Sequence, residues 1–264
     1  MKKKKCITVV PIYKEKPSDF EDLSLKQYNN VMKGCDVCII HPESLDVKSY
    51  MKYFNDNNVT EKSFDDKFFK HIRAYSQLCL DYNFYNTFND YEYMLIYQPD
   101  CWIFNDKLDE WCDKGYDYVG APIYSKLSKW PSLLRGNRPV VGNGGFSLRK
   151  IETMLKITDH EGYVYKKHAD IWDKIEYEDM FICDGITQVM YLNIPDYKIA
   201  EKFAYDCLPN NFEPEKVVDE LFGAHRVFTY GKIWLKVIPE FDNKYFYKWF
   251  DIWAKNFENK IITQ

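Results

Sequence analysis

Tyr93-Met94-Leu95-Ile96-Tyr97-Gln98-Pro99-Asp100 decides the reading of this chain. The first five residues are apolar on both alternating faces, which predicts a strand covered on both sides, as in parallel sheets. Upstream, Ile7 to Ile12 is a β-branched run at a proline and reads as a first buried strand. Ser18 and Glu21 have capping-box spacing, predicting a helix to about Lys33 that Gly34 stops. Val37 to Ile40 reads as a second strand, Leu45 to Phe54 as a helix and Val59 to Phe64 as a short strand. Asp65 to Phe88 has helical spacing, with Phe68, Ile72, Tyr75, Leu78 and Cys79 on one face. Downstream, Asp106 to Lys114 is a short helix closed by Gly115, and Tyr116 to Val119 another strand. This alternation predicts an α/β fold with a mostly parallel, doubly wound sheet.

The second half changes character. Ser125 to Pro139 is a long basic loop carrying Lys126, Lys129, Arg135 and Arg138, read either as closing over a diphosphate or as simply solvated. Val140 to Arg149 reads as a strand broken by glycines. Helices are expected near Lys150–Thr158, Asp179–Met190 and Asp196–Cys207. In Lys244–Phe257, the residues Phe246, Trp249, Phe250, Trp253 and Phe257 form one helical stripe. The expected organisation is one domain over 1–242 and an aromatic helix within 243–264 packed on it. A homodimer contact and a peripheral membrane contact are the competing uses of that stripe.

Composition narrows the function classes. The 264 residues carry 36 Lys and Arg against 40 Asp and Glu, a net charge of −4 that offers no field for nucleic acid. No run approaches a membrane-spanning length, and the short apolar stretch after the lysine-rich start reads as a strand rather than an export signal. Eight cysteines show no framework spacing, and Cys35-x-x-Cys38 lacks a second pair, which predicts scattered thiols and a cytoplasmic protein. The 22 Tyr, 18 Phe and 7 Trp read for the most part as core and surface, and such a chain can also line a groove that stacks on sugars or bases.

In open α/β sheets ligands bind beyond the carboxyl ends of the strands, which selects Gln98-Pro99-Asp100. An acidic residue there either holds a divalent cation or caps a neighbouring helix. The order Gln98-x-Asp100, Asp117-Tyr118-Val119-Gly120-Ala121-Pro122, Val141-Gly142-Asn143-Gly144-Gly145-Phe146-Ser147-Leu148-Arg149, then Glu178-Asp179, resembles a family of glycosyltransferase-like domains of unknown specificity related to the GT-A fold. The resemblance runs over roughly Val9 to Arg226. It implies a single GT-A-like domain with a Rossmann-like nucleotide-binding first half and an acceptor-binding second half. The implied activity is transfer of a sugar from a nucleoside-diphosphate donor, uridine diphosphate by analogy, to a glycan or lipid-linked acceptor, as in polysaccharide biosynthesis.

The same resemblance distributes roles. Gln98 and Asp100 fall where such enzymes carry Asp-x-Asp, with Asp100 and a late histidine, His225, holding Mn2+ or Mg2+. Gln98 replaces the first carboxylate, which weakens a hard-cation site. Arg73 would reach the donor, and Pro11 and Tyr13 join the donor set at the end of the first strand. Three glycines in a strand imply a close approach to its backbone, and a sugar ring held by Asn143, Gly144 and Gly145 is one occupant, a bulge the other reading. Inverting transfer needs a carboxylate to take the acceptor proton. Asp179 is chosen as that base, with Glu178 as acceptor contact or cap, because adjacent helical residues diverge by about 100°. The alternatives are a non-catalytic nucleotide-sugar or glycan-binding module and a nucleotidyltransferase. The last would want a glycine-rich phosphate loop where Pro11-Ile12-Tyr13-Lys14 stands.

Overall fold

The computed structural model describes residues 2–124, 139–162, 164, 166, 177–209 and 211–241. Six strands form the central sheet in the order β3-β2-β1-β4-β9-β6. They are β1 Lys4–Pro11, β2 Asp36–Pro42, β3 Asn58–Phe64, β4 Tyr91–Tyr97, β6 Tyr118–Gly120 and β9 Phe146–Lys150. β1 pairs in parallel with β2 and with β4, and β2 in parallel with β3. β9 runs antiparallel to both β4 and β6, so five of the six strands point one way. The chain first winds outward from β1 to β3, then returns to place β4 on the other side of β1. That reversal sets the carboxyl ends of β1 and β4 side by side, and a crevice opens there.

β4 accounts for the layering. Tyr93, Leu95 and Tyr97 enter a core with Leu25, Tyr28 and Ile39 on one face of the sheet. Met94 and Ile96 enter a second core with Phe84, Met154 and Phe181 on the other. Opposite faces for successive side chains are what a pleated strand imposes. Full burial of each large apolar side chain contributes about 1.5–3 kcal/mol.

Helix α1, Asp19–Val31, begins with the expected capping box. The Glu21 carboxylate accepts from the Ser18 backbone N–H at 2.7 Å, and Ser18 Oγ accepts from the Glu21 N–H at 3.4 Å. Gly34 and Gly115 follow their helices with φ of +70° and +72°, a conformation that favours glycine.

Several expected elements differ. The helix expected over Leu45–Phe54 is α2, Lys48–Met51, with a 3-10 turn Lys52–Phe54, while the one expected over Asp65–Phe88 is divided into a 3-10 turn Asp66–Phe69, α3 Ile72–Leu78 and α4 Tyr82–Asn86. Side chains restart it: His71 Nδ1 accepts from the Ala74 N–H and Asp81 Oδ1 from the Asn83 N–H, so each acts as a new N-cap. Ile72, placed on the apolar face by spacing, is 66% exposed. The strand expected over Val140–Arg149 is two: β8 Val140–Val141, paired with β7 Pro122–Ile123, and β9. Asp196–Cys207 is helical only over Tyr197–Ala200 and then enters β10, Ala204–Tyr205, which pairs in parallel with β11, Gly223–Ala224. The basic loop residues Lys126, Lys129, Arg135 and Arg138 and the aromatic stripe from Phe246 to Phe257 lie outside the described residues.

Arg149 is fully buried in β9. Its guanidinium donates to Ser147 Oγ, Tyr85 Oη, the Gly144 carbonyl and Glu178 Oε1 at 2.9–3.2 Å. Arg149→Ala leaves Glu178 buried without its counter-charge. We expect a loss of about 3–5 kcal/mol in unfolding free energy, measured by urea denaturation. Arg149→Lys should recover little, because one ammonium cannot reproduce that planar fork.

Candidate active site

The crevice at the ends of β1 and β4 is a cleft of about 710 Å³. Pro11, Tyr13, Gln98 and Asp100 line it, so four residues of the expected donor set meet there. The turn after β4 is held by the backbone: the Gln98 N–H donates to Gly145 O at 3.0 Å and the Cys101 N–H to Gln98 O at 2.9 Å. On the other rim Lys14 pairs with Glu21 of α1 at 2.5 Å. Tyr13 is 57% exposed and Ile72, across from it on α3, is also open. His71, the N-cap of α3, and Tyr75 line the cleft too, while exposed Arg73 on that helix does not. Arg73, expected at the donor, is thus not among the residues that line this cleft.

His225 comes to Gln98 and Asp100 through the small sheet. β11 pairs antiparallel with β5, Trp102–Ile103, with Ala224 opposite Trp102. The residue after β11 is thus set beside the turn before β5. The buried imidazole places Nε2 3.1 Å from Gln98 Oε1 and 3.3 Å from Asp100 Oδ1. Asp100 Oδ1 is shielded from solvent and accepts no hydrogen bond. Asp100, Cys101 and His225 each bring a ligand-type atom within 4.8 Å of one another. A carboxylate oxygen, an amide oxygen and an imidazole nitrogen converging around one unsatisfied oxygen fit a divalent cation. Cys101 is less suited, since its thiol donates to Gly145 O and burial holds it protonated, well above the ordinary thiol range.

Asp206 was not foreseen. It is buried, accepts from His225 Nδ1 at 3.0 Å and receives Arg226 through Nε at 2.7 Å and Nη2 at 2.8 Å. Burial disfavours the imidazolium, but Asp100 and Asp206 outweigh it and raise His225 to about 9. Burial likewise opposes the Asp206 carboxylate, and His225 and Arg226 more than offset it, holding Asp206 well below the usual range. The sequence signal for Asp206 was weak, because a two-residue strand carries no periodicity.

The acidic pair divides its labour. The Glu178 carboxylate is buried, taking Arg149 on Oε1 and the Ser76 hydroxyl on Oε2 at 2.6 Å. Asp179 is partly buried and accepts from the Gly144 N–H at 3.2 Å and its neighbour Met180 N–H at 2.7 Å. Burial and the adjacent Glu178 charge raise Asp179 to about 7.

The glycines between β8 and β9 join the two clusters. A Cβ on Gly145 would stand 2.2 Å from His225 Nε2, and one on Gly144 would stand 2.4 Å from Glu178 Oε1. Gly142 packs against the Gly120 backbone with equal tightness. The close approach expected from a sugar ring is thus made at these positions by the protein's own backbone and side chains. Asn143 closes the turn, its Oδ1 accepting from the Gly145 N–H at 2.8 Å.

Residues 58–225 match the DUF5672 family, described as a protein of unknown function. The chain belongs to the DUF5672 family. The matched span contains β4, the glycine run, the acidic pair and His225, and ends on that histidine. No curated protein matches the chain. Among solved structures, this DUF5672 chain is similar to mouse xyloside xylosyltransferase 1 in its apo form, with a TM-score of 0.51 and 11% identity. The likeness covers 83% of this chain and 96% of the mouse chain, and at that identity it is a likeness of fold. The α/β fold with its mostly parallel six-stranded sheet is therefore that of a GT-A glycosyltransferase.

Gly145→Ala drives a methyl group into His225. We expect the imidazole, raised to about 9 by Asp100 and Asp206, to move down toward the ordinary 6.5, followed by nuclear magnetic resonance of its Hε1 proton. A histidine raised on folding adds stability that is complete below pH 6.5 and lost as pH climbs through about 9. Gly145→Ala should flatten that part of the stability–pH curve.

Proposed function

We propose that this chain is a glycosyltransferase that moves a sugar from a nucleoside-diphosphate donor, uridine diphosphate-linked, to a glycan or lipid-linked acceptor. The observation that carries the proposal is the contact of buried His225 with Gln98 and Asp100, two residues that line the switch-point cleft, behind which Gly145 abuts His225 and its neighbour Gly144 bonds Asp179. The likeness of fold to a xylosyltransferase supports the reaction class. No helix among the described residues is long and apolar enough to cross a membrane, so a lipid-linked acceptor would be met at a membrane surface. Such an acceptor suits a cytoplasmic protein in peripheral contact with the membrane.

Asp100 and His225, with the amide oxygen of Gln98, would hold a divalent cation, Mn2+ or Mg2+, which supplies charge neutralisation to the departing diphosphate. Tyr13 offers its exposed ring to the nucleotide base, and Pro11 bounds the cleft beneath it. Asp179 takes the proton of the acceptor hydroxyl as that oxygen attacks the anomeric carbon. A carboxyl poised near 7 is suited to this, since it is ionised above neutrality and still basic enough to accept a proton. Glu178 orients its neighbour through the fixed Arg149 pair and has no lone role in proton transfer. A single attack assisted by one base inverts the anomeric centre.

A non-catalytic binding module is the second reading. A neutral amide at position 98 and a Glu178 consumed by Arg149 both favour it.

Two experiments separate the readings. Uridine diphosphate with Mn2+ should raise the melting temperature more than adenosine diphosphate does. Saturation at a hundred times the dissociation constant corresponds to about 2.7 kcal/mol. Asp100→Asn should abolish the Mn2+-dependent part of that shift. No shift with any nucleoside diphosphate would remove the transferase reading.

Turnover should rise to a plateau as pH increases through about 7, the value to which Asp179 is raised. Asp179→Asn should lower it on the order of a hundredfold or more while donor affinity stays nearly constant. Near-native turnover in that variant, or product with retained anomeric configuration, would reject Asp179 as the base.

A further inference from the structure

We propose that Asp206 is the positioning residue of the cleft, turning His225 Nε2 toward Gln98 and Asp100 while it holds the Arg226 guanidinium at the cleft wall for a diphosphate. This inference rests on the donor site proposed above and adds two residues to it. Its basis is geometric. β10 and β11 run in parallel with Tyr205 opposite Ala224, so Asp206 and His225 leave the small sheet side by side. Asp206 is 3% exposed, and its two oxygens are shared between the imidazole and the guanidinium.

The bond from Nδ1–H to Asp206 determines which ring nitrogen is left for the cleft. A histidine whose Nδ1 keeps its proton against a carboxylate can offer only Nε2 as a ligand, and the carboxylate strengthens that nitrogen as a donor. Nε2 is the atom 3.3 Å from the unsatisfied oxygen of Asp100.

Arg226 is held in an unusual way. Its backbone sits in the left-handed region, with φ of +48°, where an arginine rarely rests. Its Nε and Nη2 bond Asp206, yet 45% of the side chain is exposed and it lines the same cleft as Asp100. A guanidinium anchored along one edge and open along another is suited to an anionic ligand. One buried carboxylate therefore joins a metal ligand to a phosphate contact.

The test measures Mn2+ binding to the full chain by electron paramagnetic resonance of the free ion, and uridine diphosphate binding by calorimetry with Mn2+ present. Asp206→Asn should weaken Mn2+ tenfold to a hundredfold. That loss should vanish in a His225→Gln background, because the effect passes through the imidazole. Arg226→Gln should leave Mn2+ binding within threefold of native and weaken uridine diphosphate at least tenfold.

Unchanged Mn2+ binding in Asp206→Asn would overturn the positioning role, as would an equal loss in the His225→Gln background. Unchanged nucleotide binding in Arg226→Gln would overturn the phosphate contact. If the native chain binds neither Mn2+ nor uridine diphosphate, the donor site itself falls, an outcome distinct from these.

Should Asp206→Asn fail to fold, nitrogen-15 spectra of the native chain with Zn2+ decide the point. The proposal expects a His225 ring protonated at Nδ1 and metal-bound at Nε2. Metal at Nδ1, or a ring that Zn2+ leaves unchanged, would overturn it.

Discussion

Strand β4 is buried on both faces, and the rest of the molecule is arranged around that constraint. Over Tyr93–Tyr97 the strand's side chains fill two cores, where a charge would be costly and the one deep hydroxyl, that of Tyr97, is already bonded to Ser24 and the Cys101 carbonyl. Chemistry can appear only where the strand ends and its side chains reach water. β1 stands beside β4 in parallel, so their ends open on the same side. The return of the chain to the far side of β1 leaves no crossover above that point. Gln98, Pro99 and Asp100 occupy the edge of the resulting crevice because they follow Tyr97, the residue on which the strand ends.

The cost of burying charge explains the form of the polar network. Arg149, Glu178, Asp206 and His225 are all buried, and none is left with a lone charge. Arg149 meets Glu178, while Asp206 meets both His225 and Arg226. The loosest member of this pairing is Asp100, whose Oδ1 stands 3.3 Å from His225 Nε2 and completes no hydrogen bond. Asp179 is the other imbalance, a carboxyl beside a carboxylate, and its proton is correspondingly harder to remove. Groups kept out of balance in this manner cluster at functional positions.

The glycine run keeps the two imbalances close. Gly144 leaves space for the Glu178 carboxylate and Gly145 for the His225 ring, so the acidic pair and the histidine approach one backbone from adjacent residues. A side chain at either position would push them apart. The Gln98 N–H bonded to Gly145 O ties that backbone to the end of β4. Secondary-structure regularity is given up here: residues 142–145 belong to no strand, although β8 and β9 flank them.

Much of the fold was legible in the order of residues. Apolar alternation in β4, the Ser18–Glu21 capping box and the glycines at 34 and 115 act within a few residues, and local physics reads them directly. The carboxyl-end rule then leads to Asp100 without further help. What the sequence by itself determined is therefore the parallel sheet, its buried strands and the end from which chemistry is offered. Only the tertiary structure decided that Glu178 belongs to Arg149, that Gly144 and Gly145 yield space to other side chains, and that Asp206 stands behind His225. Asp206 and His225 are 19 residues apart and meet through two-residue strands whose own pattern is too short to read. The reason is range. Hydrogen bonds and periodicity within one element act between near neighbours, whereas the partner of a buried charge is chosen by whichever chain segment the packing brings within about 3 Å.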